Sequence, residues 1–94
     1  MSILTKNYDN GNIVKKAPLK NGRTAIVREL TGADVLVAQE IAGDKDKRGR
    51  RYQLAVAALA TKVDGVQVVL EDLLAMKASD MTKISSASAL LNFL

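Results

Sequence analysis

Residues 20–34 read Lys-Asn-Gly-Arg-Thr-Ala-Ile-Val-Arg-Glu-Leu-Thr-Gly-Ala-Asp, and this stretch decides the fold. Asn21-Gly22 is the dipeptide preferred in a two-residue type I′ hairpin turn, where both residues need a positive φ. The β-branched residues after the turn favour a strand. Thr31 is a good N-cap for a helix, because its hydroxyl can accept from a free backbone N–H. The stretch therefore predicts a β-hairpin that leads directly into a helix.

The hairpin has two predicted arms, Asn12–Leu19 and Thr24–Leu30. Pro18 cannot donate a hydrogen bond to a neighbouring strand, so the first arm is expected at the edge of a sheet. Residues 1–11 are mostly polar and are predicted to form a flexible tail. An isolated hairpin is only marginally stable, so this one must pack on the segments that follow it.

Helical patterns follow the hairpin at four places. The first helix should expose Gln39 and Glu40 and end at Gly43, a typical helix-terminating residue. The second is apolar on all sides and is expected at the centre of the core. Asp64-Gly65 is predicted to form a turn. Val66–Leu70 is predicted to be a third strand or a buried loop, and Ser79 to cap the last helix. The predicted helices are about Gly32–Ala42, Arg51–Lys62, Glu71–Met76 and Asp80–Phe93. The apolar stripe of the first helix consists of Val35, Leu36, Ala38, Ile41 and Ala42.

These elements predict an α+β fold in which an N-terminal β-hairpin packs on a small bundle of three to four α-helices. Ninety-four residues suffice for one domain, which we place at residues 12–94. No stretch of about 18 apolar residues occurs, so no membrane span is expected. The first residues also lack the apolar core of a signal peptide, which favours a cytoplasmic location.

The chain has no cysteine and no histidine. Their absence excludes a Ser-His-Asp triad, a cysteine nucleophile and Cys/His zinc sites. Asp44 and Asp46 resemble the start of a calcium-binding loop, but their neighbours in the sequence are lysines and arginines, which repel a cation, and the later ligands are missing. Glu71 and Asp72 are adjacent and diverge on a helix, so they suit a helix N-terminus better than catalysis. We therefore predict no catalytic, cofactor-binding or metal-binding residues.

A basic cluster precedes the second helix, and the net charge of the chain is +4. Four cations within five residues could bind phosphates in a salt-dependent manner. No set of base-reading side chains accompanies them, so an exposed loop is the favoured interpretation and a nucleic-acid contact the alternative. The candidate residues for that alternative are Lys47, Arg48, Arg50 and Arg51.

The last five residues include four large apolar side chains. One face of a helix can bury Leu91 and Leu94 in the domain core, whereas Leu90 and Phe93 lie on adjoining faces. Large apolar side chains left on the surface mark sites for partners. We therefore take Leu90, Leu91, Phe93 and Leu94 as candidate partner-binding residues, with closure of the core as the alternative.

The order of these motifs resembles a known family. A segment Val27–Asp34 ends a basic hairpin and begins a helix, a charged break and an alanine-rich helix follow, and Ala78–Met81 opens the last helix. In this order the chain is similar to the small tail assembly chaperones of contractile-tailed phages of the Mu-like and P2-like type, and of related prophage tail clusters. The resemblance covers residues 12–94.

The resemblance implies a non-catalytic viral protein without cofactors. Such a chaperone binds the tape measure protein and keeps that long helix soluble in the host cytoplasm during tail assembly. It is then absent from the mature virion. Two alternatives stay open from the residues themselves: a small basic nucleic-acid-binding regulator, and a structural subunit of a phage tail or neck. Self-association into a homo-oligomer is also compatible with the sequence.

Overall fold

The computed structural model of the chain describes residues 7–9, 12–43 and 49–93. These residues form five strands and four helices. In chain order the elements are β1 (Asn7–Asp9), β2 (Asn12–Pro18), β3 (Thr24–Arg28), α1 (Gly32–Ala42), α2 (Arg50–Leu59), β4 (Thr61–Val63), β5 (Val66–Gln67), α3 (Leu70–Ala75) and α4 (Ala78–Asn92).

The strands form one antiparallel sheet in the order β1-β2-β3-β4-β5. Helices α1 and α2 are inserted between β3 and β4, and α4 packs on β2, β3 and α2. The fold is therefore α+β, as the sequence predicted, with the hairpin extended into a larger sheet. The C-terminal Leu94 and the charged segment 44–48 lie outside the described residues.

The predicted hairpin is present, but its turn differs from the expected type. Among the described residues outside glycine, only Asp64 has a positive φ, so Asn21 does not adopt the type I′ conformation. Instead the Gly22 backbone N–H donates to Leu19 O at 3.2 Å, and Gly22 itself has φ +83°. Asn21 Oδ1 accepts from the Arg23 backbone N–H at 3.0 Å, which stabilises this longer turn.

A type I′ conformation occurs instead between β4 and β5, where Asp64 has φ +53° and Gly65 has φ +78°. Val63 and Val66 pair directly across this turn. The Asp-Gly turn was predicted. Of the two alternatives given for the segment after it, a strand or a buried loop, the structure has the strand, although β5 spans only Val66–Gln67. Strand β4 was not predicted, because Lys62 and its neighbours were assigned to the end of the second helix.

Strand β2 lies inside the sheet and not at its edge. It pairs with β3 over Val14–Pro18 and with β1 over Asn12–Val14. The edge prediction is corrected in this part of the strand. Pro18 lies at the other end of β2, beyond the residues that pair with β1. Its missing backbone N–H therefore interrupts no described pairing between β1 and β2. Strand β1 itself falls within residues 1–11, the segment predicted to be a flexible tail.

The helix boundaries agree with the predictions to within three residues, but the cap of α4 differs. Lys77 is the N-cap residue of α4, and Ser79 lies inside its first turn. The Ser79 hydroxyl is buried without a hydrogen-bond partner, so the predicted cap is wrong. Glu71 and Asp72 lie in the first turn of α3, and Asp72 Oδ2 accepts from the Val69 backbone N–H at 3.0 Å. That contact is a helix cap, as their spacing indicated.

Two clusters of apolar side chains form the core. The main cluster lies between the sheet and helices α2, α3 and α4, and Leu73 and Ile84 are its largest fully buried side chains. The second is small and joins Ala38 and Ala42 of α1 to α2. Leu30 packs against both clusters, so it connects the α1–α2 pair to the rest of the domain.

Thr31 and Asp34 cap each other at the start of α1. The Asp34 backbone N–H donates to the Thr31 hydroxyl at 3.3 Å, and Asp34 Oδ2 accepts from the Thr31 backbone N–H at 2.9 Å. Arg28 Nη1 donates to the same carboxylate oxygen at 3.2 Å. The Thr31 backbone hydrogen bond and, after it, the Arg28 contacts outweigh the effect of burial. Together they lower the pKa of Asp34 from its ordinary value of 3.8.

This carboxylate predicts an acid-dependent loss of stability. Asp34→Asn should lower the free energy of unfolding by about 1 kcal/mol at neutral pH, because the charged cap is lost. A carboxylate whose pKa is lowered by folding contributes fully above its unfolded pKa, and the contribution disappears as the pH falls through the folded value. In urea titrations the difference between the two proteins should therefore be constant down to about pH 5 and shrink below about pH 4. A difference that stays constant in acid would contradict the role of the charge.

Gln67 carries a second stability prediction. Its Nε2 lies 2.8–3.2 Å from four backbone carbonyl oxygens, those of Ala58, Leu59, Thr61 and Val68. Gln67→Glu replaces this donor by a carboxylate oxygen and should lower the free energy of unfolding by about 1–2 kcal/mol at neutral pH, because water still reaches this exposed residue. Gln67→Ala is the control, and it should cost less because it adds no charge. A glutamate variant as stable as the alanine variant would contradict this interpretation.

Candidate partner-binding surface

Helix α1 is buried on one side only. Ala38 and Ala42 pack against Ala55 and Val56 of α2, and these small side chains let the two helices approach closely. Helix α1 has its most extensive contacts with α2. A helix held along one side presents its other side to solvent or to a partner.

The opposite side of α1 is apolar as well. Leu36 is 64% exposed, Val37 44% and Ile41 41%. At 100° per residue these three positions share one side of the helix with Glu40 and, in the first turn, Asp34. We call Leu36, Val37 and Ile41 the α1 face. Leu36 and Ile41 were predicted to belong to an apolar stripe turned away from water, and the structure corrects this by placing both at the surface.

The reason for the correction is the size of the side chains on the two sides. Leu36, Val37 and Ile41 lie on one side, and Ala38 and Ala42 lie on the other. Close contact between helix backbones requires small residues, so α2 packs on the alanine side. The sequence signal for an exposed face was therefore present in the separation of large from small residues. The apolar pattern alone could not indicate which side faces inward.

The C-terminal end of α4 is anchored beside the start of α1. Asn92 Oδ1 accepts from the Leu30 backbone N–H at 2.8 Å, and Asn92 Nδ2 donates to Arg28 O at 3.2 Å. These two bonds tie the last turn of α4 to the loop between β3 and α1. The residue after Asn92 is therefore held close to the α1–α2 pair.

That residue is Phe93, whose side chain is 46% exposed. Its ring contacts the edge of the Tyr52 ring, with the centroids 6.4 Å apart and the planes at 63°. Tyr52 also packs against the small cluster between α1 and α2. Phe93 is thus a partly exposed apolar side chain at the same end of the molecule as α1. A partner helix could contact both.

The other predicted partner-binding residues are less accessible than Phe93. Leu90 is half-buried, and Leu91 is half-buried and packs against the main core. Leu94 lies outside the described residues. The structure therefore brings together Phe93 and a face that the sequence analysis did not select, and it assigns Leu91 to the domain core.

A second group of exposed apolar side chains lies around β5 and α3. It contains Val66, Val69 and Leu74, which are 50–66% exposed. Beside it is an open groove of about 440 Å³, lined by apolar side chains and by Lys20, Arg23 and Lys77. Buried Asp80 also lines the groove, and its Oδ1 accepts from the Lys20 backbone N–H at 3.1 Å. The Asp80 carboxylate therefore stabilises the turn between β2 and β3.

The residues of the nucleic-acid alternative are only partly described. Arg50 and Arg51 are exposed in the first turn of α2, whereas Lys47 and Arg48 lie outside the described residues, as do Asp44 and Asp46. The N-cap residue of α2 is Gly49, which offers no side-chain cap. Positive charges near a helix N-terminus oppose the helix dipole, so their position is not explained by the stability of α2.

The described residues offer no group of three or more side chains that could hold a metal ion. In the same part of the chain, no helix is both long and apolar enough to cross a membrane. Lys83, which the sequence places near several serines, donates through Nζ to Pro18 O at 3.1 Å. No protein-family model matches the chain, and no curated protein or solved structure matches it either.

Proposed function

We propose that the chain is a non-catalytic tail assembly chaperone of the contractile-tailed phage type. It binds a helical segment of the tape measure protein in the host cytoplasm and keeps it soluble until the tail tube encloses it. The observation that carries the proposal is the α1 face: three large, exposed apolar side chains on a helix whose most extensive contacts are with α2. The resemblance in the order of sequence motifs supplies the identity of the partner.

A helix is the partner that fits this surface best. Helices α1 and α2 already form a packed pair, and a third helix laid along Leu36, Val37 and Ile41 would enclose α1 between two neighbours. Amphipathic helices are commonly recognised by apolar surfaces of this kind. Phe93 extends the contact beyond α1 because it lies beside Tyr52 at the edge of the same pair.

The exposure of these side chains suits reversible binding. Full burial of one large apolar side chain gives about 1.5–3 kcal/mol relative to an exposed one. The four side chains are 41–64% exposed, so each still has about half of that free energy to gain. Such a contact can hold a helix in solution and release it when the tail tube polymerises around it.

Co-expression with the tape measure protein of the same phage or prophage tests the proposal. We expect the tape measure protein to be insoluble alone and soluble in a complex when both chains are made together. The mass of the complex, measured by light scattering, should correspond to a fixed number of copies of this chain per tape measure protein. Two stable, separate proteins would contradict the proposal, and retention of this chain in purified particles would favour a structural subunit.

A further inference from the structure

The two faces of the sheet differ in what covers them. Ala25, Val27 and Val63 point to one face, are buried and belong to the main cluster beneath the helices. The residues between them, Ile26 and Lys62, point to the other face. There Lys62 is exposed and Ile26 is half-buried, whereas Val14 of β2, which points to the same side, is buried. This second face is therefore covered at its Val14 end and open around Ile26 and Lys62.

Register places Lys16, Ile26 and Lys62 of this second face in one row across the strands, followed by Gln67 of β5, which pairs with Lys62. Lys16 pairs with Ile26, and Ile26 pairs with Lys62. Directly paired residues in an antiparallel sheet point to the same side. We call Lys16, Ile26 and Lys62 the open face. With strands about 4.8 Å apart, the two lysines flank the isoleucine and start about 10 Å from each other.

The charge of this row is not neutralised among the described side chains. The two arginines nearby are paired: Arg28 Nη1 lies 3.2 Å from Asp34 Oδ2, and Arg23 Nε lies 2.7 Å from Asp64 Oδ2. Lys16 and Lys62 are exposed and have no ion pair with any side chain that the structure describes. The open face therefore combines an apolar centre with two positive charges that no described side chain neutralises.

This pattern is complementary to an acidic amphipathic helix. An α-helix rises 1.5 Å per residue, so acidic residues seven positions apart are about 10.5 Å apart. An apolar residue three or four positions after the first acid lies between them on the same side. Single-stranded nucleic acid fits less well, because its bases stack on aromatic rings and the described side chains of this face include none.

We propose that the open face is a second binding surface, specific for a helical protein segment with the pattern acid, apolar, acid at positions 1, 4 or 5, and 8. It is separate from the α1 face and does not depend on the proposed function. Two lysine–carboxylate pairs fix the helix across the strands, and Ile26 contacts its apolar residue. Surface ion pairs are weak one by one, so the contact is salt-sensitive.

A synthetic helical peptide with this Glu/Leu/Glu pattern in an alanine-rich, fluorescein-labelled chain tests the proposal. Fluorescence anisotropy should show binding that weakens as salt is added. Lys16→Glu with Lys62→Glu should weaken it about tenfold or more, whereas Lys77→Glu with Arg50→Glu should change it less than about twofold. This control lowers the net charge equally but lies away from the open face. Equal losses in both double variants, or none, would overturn the proposal.

Ile26→Thr keeps a strand-forming residue and removes the apolar centre, so it should weaken peptide binding about threefold or more. Unchanged binding would show a purely electrostatic contact and overturn the proposed pattern.

Labelled single-stranded DNA is the second probe. Tighter binding of DNA than of the peptide, lost in the Lys16/Lys62 variant, would assign the face to nucleic acid instead. Leu36→Asp should leave peptide binding unchanged, which separates this surface from the α1 face. Circular dichroism confirms that each variant is folded.

Discussion

Leu36→Asp combined with Ile41→Asp should abolish capture of the tape measure protein while leaving the domain folded. Each substitution removes an apolar contact and places a charge where the partner helix would exclude water. The two lost contacts and the desolvation of two carboxylates amount to several kcal/mol, so we expect the affinity to fall about 100-fold or more. The folded domain should tolerate both changes, because these side chains are 64% and 41% exposed.

A matched control is available on the other exposed apolar group. Val66→Asp combined with Leu74→Asp makes the same chemical change at positions that are 66% and 56% exposed. This variant should still solubilise the partner in co-expression. Loss of binding in both double variants would indicate a non-specific apolar contact. Loss in the Val66/Leu74 variant alone would move the site to β5 and α3.

Phe93 should contribute less than the α1 face. Its ring already contacts Tyr52, so only part of its surface is free for a partner. Phe93 is also the more informative of the two residues that the sequence singled out at the chain end. Leu90 is half-buried, and a charge there would affect folding and binding together.

Leu73→Ala should cause the largest loss of stability among the single substitutions considered. Leu73 is fully buried in the main cluster. Removing such a side chain costs about 2–5 kcal/mol, because burial is lost and a cavity remains. A domain of this size is stable by about 5–14 kcal/mol, so the variant is expected to unfold at much lower urea. Urea titration followed by circular dichroism measures the change.

Leu74→Ala is the natural comparison, because the same change is made one residue later in the same helix. Leu74 is 56% exposed, so its truncation should alter the free energy of unfolding by about 0.5 kcal/mol or less. Similar losses in the two variants would mean that α3 does not pack on the core through the side that carries Leu73. Leu74→Ala also provides a folded protein in which the exposed apolar group of Val66, Val69 and Leu74 is smaller.

Local features of the fold were predictable from the sequence. The cap formed by Thr31 and Asp34, the end of α1 before Gly43 and the Asp64-Gly65 turn depend on residues within four positions of one another. Their geometry follows from the chemistry of side chains close in sequence. The existence of four helices followed in the same way from apolar periodicity and capping residues.

Features that depend on distant residues were missed or assigned differently. Strand β4 exists because Thr61–Val63 pairs with β3, more than thirty residues earlier in the chain. Nothing local distinguished that segment from the end of an alanine-rich helix. Ser79 had the right chemistry for a cap, but packing of α4 on the sheet starts the helix earlier, at Ala78. Both outcomes were set by tertiary contacts.

The sequence by itself determined the α+β class, the hairpin entering α1, the cap at Thr31 and the approximate bounds of the helices. Each of these depends on interactions a few residues apart. Only the tertiary structure decided which side of α1 faces α2, how far Leu90 and Phe93 are exposed, and which side chains share the open face. Those properties depend on the surface that a distant segment covers, and apolar periodicity alone cannot distinguish a side that is buried from one that is left exposed.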